Sequence, residues 1–213
     1  MAAPTSTIPS SVRVHPTAIV ENDVQIGEGT TIWDNVHIRH SSKLGAQCIV
    51  GEKGYIAPGV IIGNRVKINA FVYICSAVTV EDGVMLSAGT IFTNDRYPRA
   101  TTPDLKQLRG SEPDEHTLPT LIREGATIGA GCLVGCDLTV GRFAMVGMGS
   151  IVTKSIPDFT LVVGAPARPI GYVCRCGASL RHSEQGAAMS DGKYACSACA
   201  RKYAVKSGVV SES

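Results

Sequence analysis

The chain has little charge, and its positive and negative charges nearly cancel. Charged residues make up 18% of its 213 residues, and 20 Lys and Arg against 18 Asp and Glu leave a formal net charge of +2. So small an excess gives no electrostatic basis for binding nucleic acid or an anionic membrane surface through the chain as a whole. We therefore expect neither partner.

Long apolar runs are also missing. No apolar stretch approaches the ~20 residues that a transmembrane helix needs. The first residues, MAAPTSTIPSS, contain neither the basic nor the apolar region of a signal peptide. We therefore expect a cytoplasmic protein, in which the eight cysteines stay reduced or bind metal instead of forming disulfides.

What the sequence does contain is an apolar residue at every sixth position. This repeat runs unbroken from Val14 to Phe92 and resumes from Ile122 to Val152. A period of six fits neither a helix, with about 3.6 residues per turn, nor an alternating strand, but it fits a solenoid of short strands and turns. Glycine recurs just after the apolar residue, as tight turns require. We expect three hexads to close one triangular coil, and the repeats to build roughly seven stacked coils.

The repeat also divides the chain into segments. We predict a lead-in at residues 1–13 and a repeat region at 14–173. The break at 93–121 is rich in Pro, Asp and charge, and so long a loop in a compact fold is usually functional or disordered. Residues 174–203 form a separate cysteine-bearing segment, followed by a tail at 204–213.

One outward face of the predicted coils is apolar and aromatic. Its positions are His37, Tyr55, Tyr73, Ile91, Leu133 and Ile151. A contiguous exposed apolar row favours a subunit interface, although a sheet face also tolerates such residues singly.

The hexad pattern resembles the hexapeptide-repeat acyltransferases, and the resemblance covers residues 14 to about 173. It implies an all-β fold, a left-handed parallel β-helix that assembles as a homotrimer. It also implies that active sites lie in clefts between neighbouring β-helices.

A segment at the start of the loop, TNDRYPRA, resembles one in members of this family that acetylate nucleoside-diphosphate-linked amino sugars. By that resemblance Asn94 would orient the sugar amine or polarise the thioester, and Arg99 would hold the loop or contact an anionic part of the substrate. Asp95 and Tyr73 are predicted to join Arg99 in binding the nucleotide sugar. The alternative is structural, an Asx turn made by Asn94 and Asp95 where the chain leaves the coil.

The segment VVGAPARP, at residues 162–169, resembles the V-x-G-N-P-A-R exit segment of these enzymes, with Ala165 in place of Asn. Family members bind acetyl-CoA along this end of the β-helix, so this chain is predicted to use acetyl-CoA as cosubstrate. The predicted CoA contacts are Gly129, Gly147, Ser150, Lys154 and Arg168. Alternatively, the side chains of Lys154 and Arg168 are simply solvated at a proline-capped end of the β-helix.

A general base is not evident. Many relatives carry Gly-His-Gly before the loop, where this chain has Leu86-Ser87-Ala88-Gly89. His37 is the best remaining candidate, since histidine is the side chain that most often serves as a general base near neutral pH. An amine can be acylated without a base, because the adduct can lose its proton to the departing thiolate. We therefore favour N-acetylation, with a 3-amino-dideoxyhexose as one candidate sugar; O-acetylation of a hydroxyl and a non-catalytic scaffold are the alternatives.

The C-terminal segment contains two close cysteine pairs about twenty residues apart. They are Cys174-x-Cys176-Gly and Cys196-x-x-Cys199, a pattern typical of a zinc ribbon. We predict a structural Zn²⁺ with four thiolate ligands and no open position. Two disulfides or four free thiols are the alternatives.

Overall fold

The computed structural model describes residues 8–110, 112–182 and 190–213. Most of the predicted lead-in, and residues 183–189 of the cysteine-bearing segment, lie outside these residues. Within them the fold has 26 strands and no helix, so the all-β prediction is confirmed. Accordingly, no helix in the described residues is long and apolar enough to cross a membrane.

Most of the strands are two residues long, one to a hexad. Before the long loop they are β1 (Arg13–Val14), β2 (Ile19–Val20), β3 (Gln25–Ile26), β4 (Thr31–Ile32), β5 (His37–Ile38), β6 (Lys43–Leu44), β7 (Ile49–Val50), β8 (Tyr55–Ile56), β9 (Ile61–Ile62), β10 (Lys67–Ile68), β11 (Tyr73–Ile74), β12 (Val78–Val80), β13 (Met85–Leu86) and β14 (Ile91–Phe92). After it they are β15 (Thr120–Ile122), β16 (Thr127–Ile128), β17 (Leu133–Val134), β18 (Leu138–Val140), β19 (Met145–Val146), β20 (Ile151–Val152), β21 (Thr160–Val163), β22 (Arg168–Val173), β23 (Ser179–His182), β24 (Gly192–Ala195), β25 (Lys202–Lys206) and β26 (Val209–Glu212).

The strands of the repeat form the three faces of a parallel β-helix. The first sheet runs β1-β4-β7-β10-β13-β16-β19-β21, continued by β22 and β23; the second runs β2-β5-β8-β11-β14-β17-β20; the third runs β3-β6-β9-β12-β15-β18. Every pair within the repeat is parallel, as in Lys67 opposite Met85, one coil further along the chain. The second sheet has 7 strands, one per coil, in agreement with the roughly seven coils predicted.

The first residue of each hexad points into the prism. Ile38, Ile56 and Ile74, on successive coils of the second sheet, are at most 1% exposed, and the buried residues form one continuous core along the prism. The fifth position of the hexad is small because it shares this narrow interior, as Cys48 and Cys132 show. Stacking thus buries what no single coil could bury alone.

Glycine follows the apolar residue because adjacent coils approach closely. A Cβ added to Gly45 would lie 2.6 Å from the carbonyl carbon of Gly63, one coil further on. The turn itself is made two residues later, where Asp23 and Asn35 have φ of 59° and 55°. The expectation that these glycines serve the turn is therefore wrong; they make room for the neighbouring backbone.

The long loop is inserted without disturbing the stack. It leaves the fifth coil after β14, and β15 then pairs with β12 in register, Val78 opposite Thr120 and Val80 opposite Ile122. The strand begins at Thr120, so the loop ends slightly earlier than predicted. Two antiparallel bridges close the loop on itself, Asp95 with Thr117 and Thr101 with Leu108.

The predicted apolar row is present on the second sheet. His37 lies opposite Tyr55, Tyr55 opposite Tyr73, and Tyr73 opposite Ile91. Leu133 and Ile151 continue the same register beyond the loop. These side chains therefore form one strip along the outside of the β-helix.

The expected tail is part of a folded sheet. β24, β25 and β26 form a 3-stranded antiparallel sheet, and Tyr203, Val205 and Val210 are buried in it. Ser207 and Gly208 both have positive φ, as the turn of a two-residue hairpin requires. The tail prediction for 204–213 is wrong because these apolar residues pack against the last coil of the β-helix.

Candidate functional site

Asn94 lies where the inserted loop leaves the β-helix. Its side-chain amide donates to the carbonyl oxygen of Ser76, one coil earlier, at 3.5 Å, and its own carbonyl accepts from the Leu118 amide at 2.8 Å. The next residue makes a tight turn, since the Tyr97 amide donates to Asp95 Oδ1 at 2.7 Å. The Asx turn proposed as the structural alternative is therefore present at Asp95.

A cavity of about 350 Å³ lies between the loop and the β-helix. Asn94, Asp95 and Arg99 all line it, so the structure brings together three of the residues predicted at this site. Tyr73 and His37 do not line it within one chain. The walls are mostly polar, which suits a hydrophilic ligand better than a lipid or a steroid.

Arg109 organises the cavity, although the sequence did not single it out. Its Nη1 lies 3.1 Å from Asp95 Oδ2, and its Nη2 lies 3.5 Å from Asp114 Oδ2. The guanidinium thus joins the two ends of the loop across the cavity wall. The loop has no repeat, so no spacing in the sequence could indicate these partners.

Arg99 lies on the wall between this cavity and a second one of about 520 Å³. Its Nη1 donates to the carbonyl oxygen of Pro98 at 2.8 Å. In the part of the chain that the structure describes, no carboxylate forms an ion pair with it. Most of its donors are therefore left for an anionic ligand.

His37 belongs to a polar cluster on the second sheet. Its Nε2 lies 2.8 Å from Glu21 Oε1, and Arg39 Nε lies 2.7 Å from the same oxygen. Burial acts to raise the pKa of Glu21, but hydrogen bonds from Arg39, His37 and the His40 amide lower it to about 2. The carboxylate therefore stays charged and orients the imidazole.

Within one chain His37 and Asn94 are far apart. The register places His37 three coils before Ile91, the strand that leads into Asn94. At about 4.8 Å between strands this is roughly 14 Å. A base at His37 would therefore serve the cavity at Asn94 only through a neighbouring subunit.

The residues predicted to contact CoA lie in the last coils. Lys154 and Arg168 are both exposed, and Arg168 Nη1 donates to the carbonyl oxygen of Ala167 at 3.0 Å. Gly129 and Gly147 occupy equivalent positions on adjacent coils, where a Cβ on Gly129 would lie 2.5 Å from the Met148 amide nitrogen. Their backbones are therefore pressed together by stacking.

The prediction for Ser150 is wrong as far as its hydroxyl is concerned. Ser150 is fully buried, and its Oγ accepts a hydrogen bond from the Gly164 amide at 3.1 Å. A ligand outside the prism cannot reach this group. The hydroxyl instead holds the exit segment against the last coil, because a buried polar group needs a partner.

The four cysteines predicted as metal ligands converge on one point. Their sulfur atoms all lie within 4.8 Å of one another, with 3.4 Å between Cys174 and Cys199 and 3.7 Å between Cys176 and Cys196. A tetrahedral zinc with Zn–S bonds of about 2.3 Å separates its sulfur ligands by about 3.8 Å. The donor set and its spacing therefore fit Zn²⁺, with no position open to substrate.

Comparison with known proteins is consistent with this architecture. Residues 23–58 match the family model described as bacterial transferase hexapeptide (six repeats). The dTDP-3-amino-3,6-dideoxy-alpha-D-galactopyranose 3-N-acetyltransferase of Aneurinibacillus thermoaerophilus is 39% identical over 93 residues, which are 44% of this chain and 44% of that protein. The bifunctional protein GlmU of Heliobacterium modesticaldum is 30% identical over 181 residues, covering 70% of this chain and 36% of its own length.

Among solved structures, a variant of AntD, an N-acyltransferase from Bacillus cereus in complex with dTDP and coenzyme A, is 20% identical with a TM-score of 0.49. The match covers 78% of this chain and 83% of the AntD chain. The likeness is too weak to bear on function. The chain spans less than half the length of the two curated relatives. The matched repeat at residues 23–58 and the stacked coils agree with the hexad pattern and with the β-helix fold predicted from the sequence.

Proposed function

We propose that the chain is an acetyl-CoA-dependent N-acetyltransferase acting on a nucleoside-diphosphate-linked amino sugar, with a 3-amino-dideoxyhexose as the favoured substrate. The observation that carries the proposal is the 39% identity to an enzyme named for this reaction on a dTDP-linked 3-amino sugar. The cavity at the start of the loop, with Asn94, Asp95 and Arg99 in its wall, supports it independently.

The reaction needs little from the protein beyond positioning. The sugar amine attacks the thioester carbonyl, the C–N bond forms, and the C–S bond breaks as CoA leaves with the proton lost by nitrogen. The carboxamide of Asn94 has two N–H donors, and its hydrogen bond to the Ser76 carbonyl oxygen is long, at 3.5 Å. The other donor is available to orient the substrate or to stabilise the developing oxyanion.

Arg99 supplies the contact for the diphosphate. Its guanidinium borders both loop cavities and has no carboxylate partner among the described residues. A planar guanidinium binds phosphate oxygens in a bidentate way, which fixes orientation as well as charge. Asp95 contributes indirectly, because its carboxylate holds Arg109 and thereby the loop.

The acyl donor occupies the C-terminal end of the β-helix in this proposal. Lys154 and Arg168 are exposed cations there, suited to the phosphates of CoA. The missing side chains of Gly129 and Gly147 face the next coil, so in this proposal these glycines shape the stack at this end and do not contact the pantetheine themselves.

The active unit is a homotrimer in this proposal. The apolar row on the second sheet, which includes Tyr73, Ile91 and Leu133, is 40–43% exposed in one chain and would be covered by a neighbouring β-helix. In that assembly Tyr73, one coil before the strand that leads into Asn94, would lie at the subunit interface next to the proposed cleft.

The four-cysteine cluster binds a structural Zn²⁺ in this proposal. The sulfur spacing supports it, and so does the small size of the surrounding sheet, which a metal helps to hold together. Thiolate ligands need a reducing compartment, so the proposed location is the cytoplasm.

The test is a direct assay with acetyl-CoA and a panel of 3-amino sugars linked to dTDP, UDP and GDP. Thiol release would be followed continuously, and the product would be checked by mass for one added acetyl group. We expect one nucleotide to be preferred. Turnover of the matched 3-hydroxy sugar but not of the 3-amino sugar would contradict the proposal.

O-acetylation is the second candidate, and the pairing of His37 with Glu21 favours it. A carboxylate that orients an imidazole is the arrangement used by general bases that activate a hydroxyl. The His37→Ala variant separates the two reactions. Amine acylation should survive it at high pH, where the amine is already neutral, whereas hydroxyl acylation should be lost at every pH.

A further inference from the structure

The C-terminal sheet packs against turn residues of the last coils of the β-helix. Phe159 and Tyr172, from the last coil and the strand that leaves it, are buried together with Tyr203 and Val205 of that sheet. This cluster is separate from the core of the prism, so the sheet is held on the β-helix by its own small set of contacts. We call the docked sheet the C-terminal cap.

Tyr203 connects this cap to the cysteine cluster. Its hydroxyl lies 3.0 Å from Cys174 Sγ and accepts a hydrogen bond from the Arg175 amide, also at 3.0 Å. With a metal bound, the Cys174 thiolate would have no proton to give, so the Tyr203 hydroxyl would donate to the sulfur. The ring of Tyr203 is fully buried and packs edge-on against Phe159, with centroids 5.5 Å apart.

Arg175 makes a second connection from within the first cysteine pair. Its guanidinium lies 4.6 Å from the ring centroid of Phe143, a residue of the last coils. It also lies 3.7 Å from a carboxylate oxygen of Glu124 and 3.8 Å from one of Glu212. One side chain thus joins the cysteine cluster, the side of the β-helix and the final strand.

The strand that enters the cluster is the one that carries the exit segment. β22 begins at Arg168 and ends at Val173, directly before Cys174. It pairs antiparallel with β21, the last strand of the β-helix, and the Val173 amide donates to the carbonyl oxygen of Phe159 at 2.8 Å. A displacement at the cysteine cluster would therefore reach Arg168 through one continuous strand.

We propose that metal binding at the four cysteines locks the C-terminal cap onto the β-helix, and that Tyr203 is the positioning residue that joins the two through its hydrogen bond to Cys174. The inference rests on the Zn²⁺ proposed above but not on acyl transfer. Its tests use no substrate, so they distinguish its failure from that of the proposed enzyme.

The first test compares two tyrosine variants of the zinc-loaded full chain. Tyr203→Phe keeps the ring on Phe159 but removes the donor to sulfur, and we expect zinc transfer to a chromogenic chelator to become about 10- to 100-fold faster. Tyr172→Phe is the matched control, because the Tyr172 hydroxyl also holds the cap, by donating to the carbonyl oxygen of Gly208 at 3.2 Å, and this bond does not involve a cysteine. It should release zinc at the wild-type rate.

Equal release rates for Tyr203→Phe and wild type would overturn the role of Tyr203. Accelerated release in both variants would also overturn it, since loosening of the cap alone would then explain the effect. A zinc-supplemented preparation that holds less than one zinc per chain would overturn the metal site itself.

The second test follows backbone amide exchange with and without metal. Metal-free protein would be made by chelation or, if zinc resists removal, through Cys199→Ser. We expect faster exchange at residues 158–174 and 192–212 and no change at residues 31–86. Unchanged protection at 158–174 would show that the metal does not hold the cap, whatever the stability of the whole chain.

Discussion

The rings of Tyr55 and Tyr73 stack face to face on adjacent coils, with centroids 5.0 Å apart and planes inclined by 5°. His37 meets Tyr55 edge-on from the previous coil at 5.6 Å. The row is therefore a packed and rigid surface, even though the Tyr73 side chain is 43% exposed in a single chain. A rigid aromatic surface of this kind suits a subunit interface.

We expect Tyr73→Glu to break the proposed trimer into monomers. The substitution would bury an uncompensated carboxylate at the centre of the interface, which is strongly unfavourable. Light scattering coupled to size exclusion measures the change in mass. Ile61→Glu is the control, since Ile61 is 50% exposed on the third sheet, away from the row; if Tyr73→Glu keeps the mass of the wild type, the second sheet is not the interface.

Removal of the Asn94 carboxamide should slow the chemistry. We expect Asn94→Ala to lower kcat by about 100-fold, the usual loss when one oxyanion donor is removed, with a smaller change in KM. Steady-state rates with acetyl-CoA and the preferred nucleotide sugar test this. Asn22→Ala is the control, because Asn22 is an exposed turn residue of the first coil; an undiminished kcat in Asn94→Ala would assign Asn94 to the turn alone.

Arg99 should act on substrate binding. We expect Arg99→Ala to raise KM for the nucleotide sugar by about 10- to 100-fold, since a charged hydrogen bond contributes about 1.5–3 kcal/mol, while kcat changes little. Arg96→Ala is the matched control in the same loop, because its guanidinium is paired with Asp137 at 2.6 Å outside both cavities. Equal effects of the two substitutions would show general loop damage instead of a phosphate contact.

The Glu21 cluster predicts a specific acid sensitivity. The pKa of Glu21 falls from 4.5 to about 2 on folding, so its ionised form stabilises the native state above pH 4.5. That contribution is lost as the pH falls from 4.5 toward 2. Urea midpoints of wild type and Glu21→Gln should therefore differ at neutral pH and converge in acid, and a constant difference across this range would be the contrary result.

Substitution should lower the stability of the protein at Gly45 but leave it unchanged at Gly59. Gly45→Ala places a Cβ 2.6 Å from the backbone of Gly63, and we expect a loss of about 1–3 kcal/mol in the free energy of unfolding. Gly59→Asn should stay within about 0.5 kcal/mol of wild type. Gly59 has open space around it and a φ of 70°, and Asn35 adopts φ of 55° at the same hexad position. Denaturant titration measures both, and a harmless Gly45→Ala would refute the close approach of the coils.

The repeat made the β-helix predictable, because every sixth residue reports the same place in the coil. One period therefore predicts the neighbour of Tyr73 on each adjacent coil, and the register agrees. The fixed cysteine spacing likewise predicted that Cys174 and Cys199 would meet. Both predictions come from residues at fixed spacings in the sequence, the six-residue repeat and the two cysteine pairs.

The features that the sequence did not reveal depend on contacts between segments without a repeat. Arg109 pairs with Asp95 and Asp114 across the loop, and no periodicity connects these positions. Tyr203 is buried because it meets Phe159, a contact between two separately predicted segments. Such partners are fixed by how the loop and the cap fold back, which composition alone does not specify.

The coil that carries the loop has a consequence for how such proteins diversify. Val78 and Thr120 lie opposite each other on adjacent coils in ordinary parallel register, although the whole loop lies between them in the chain. The pairing of β12 with β15 therefore does not depend on the length of the segment inserted before β15. A protein of this fold can therefore acquire a site for a new ligand through changes in the inserted loop, while the stacked coils keep their geometry.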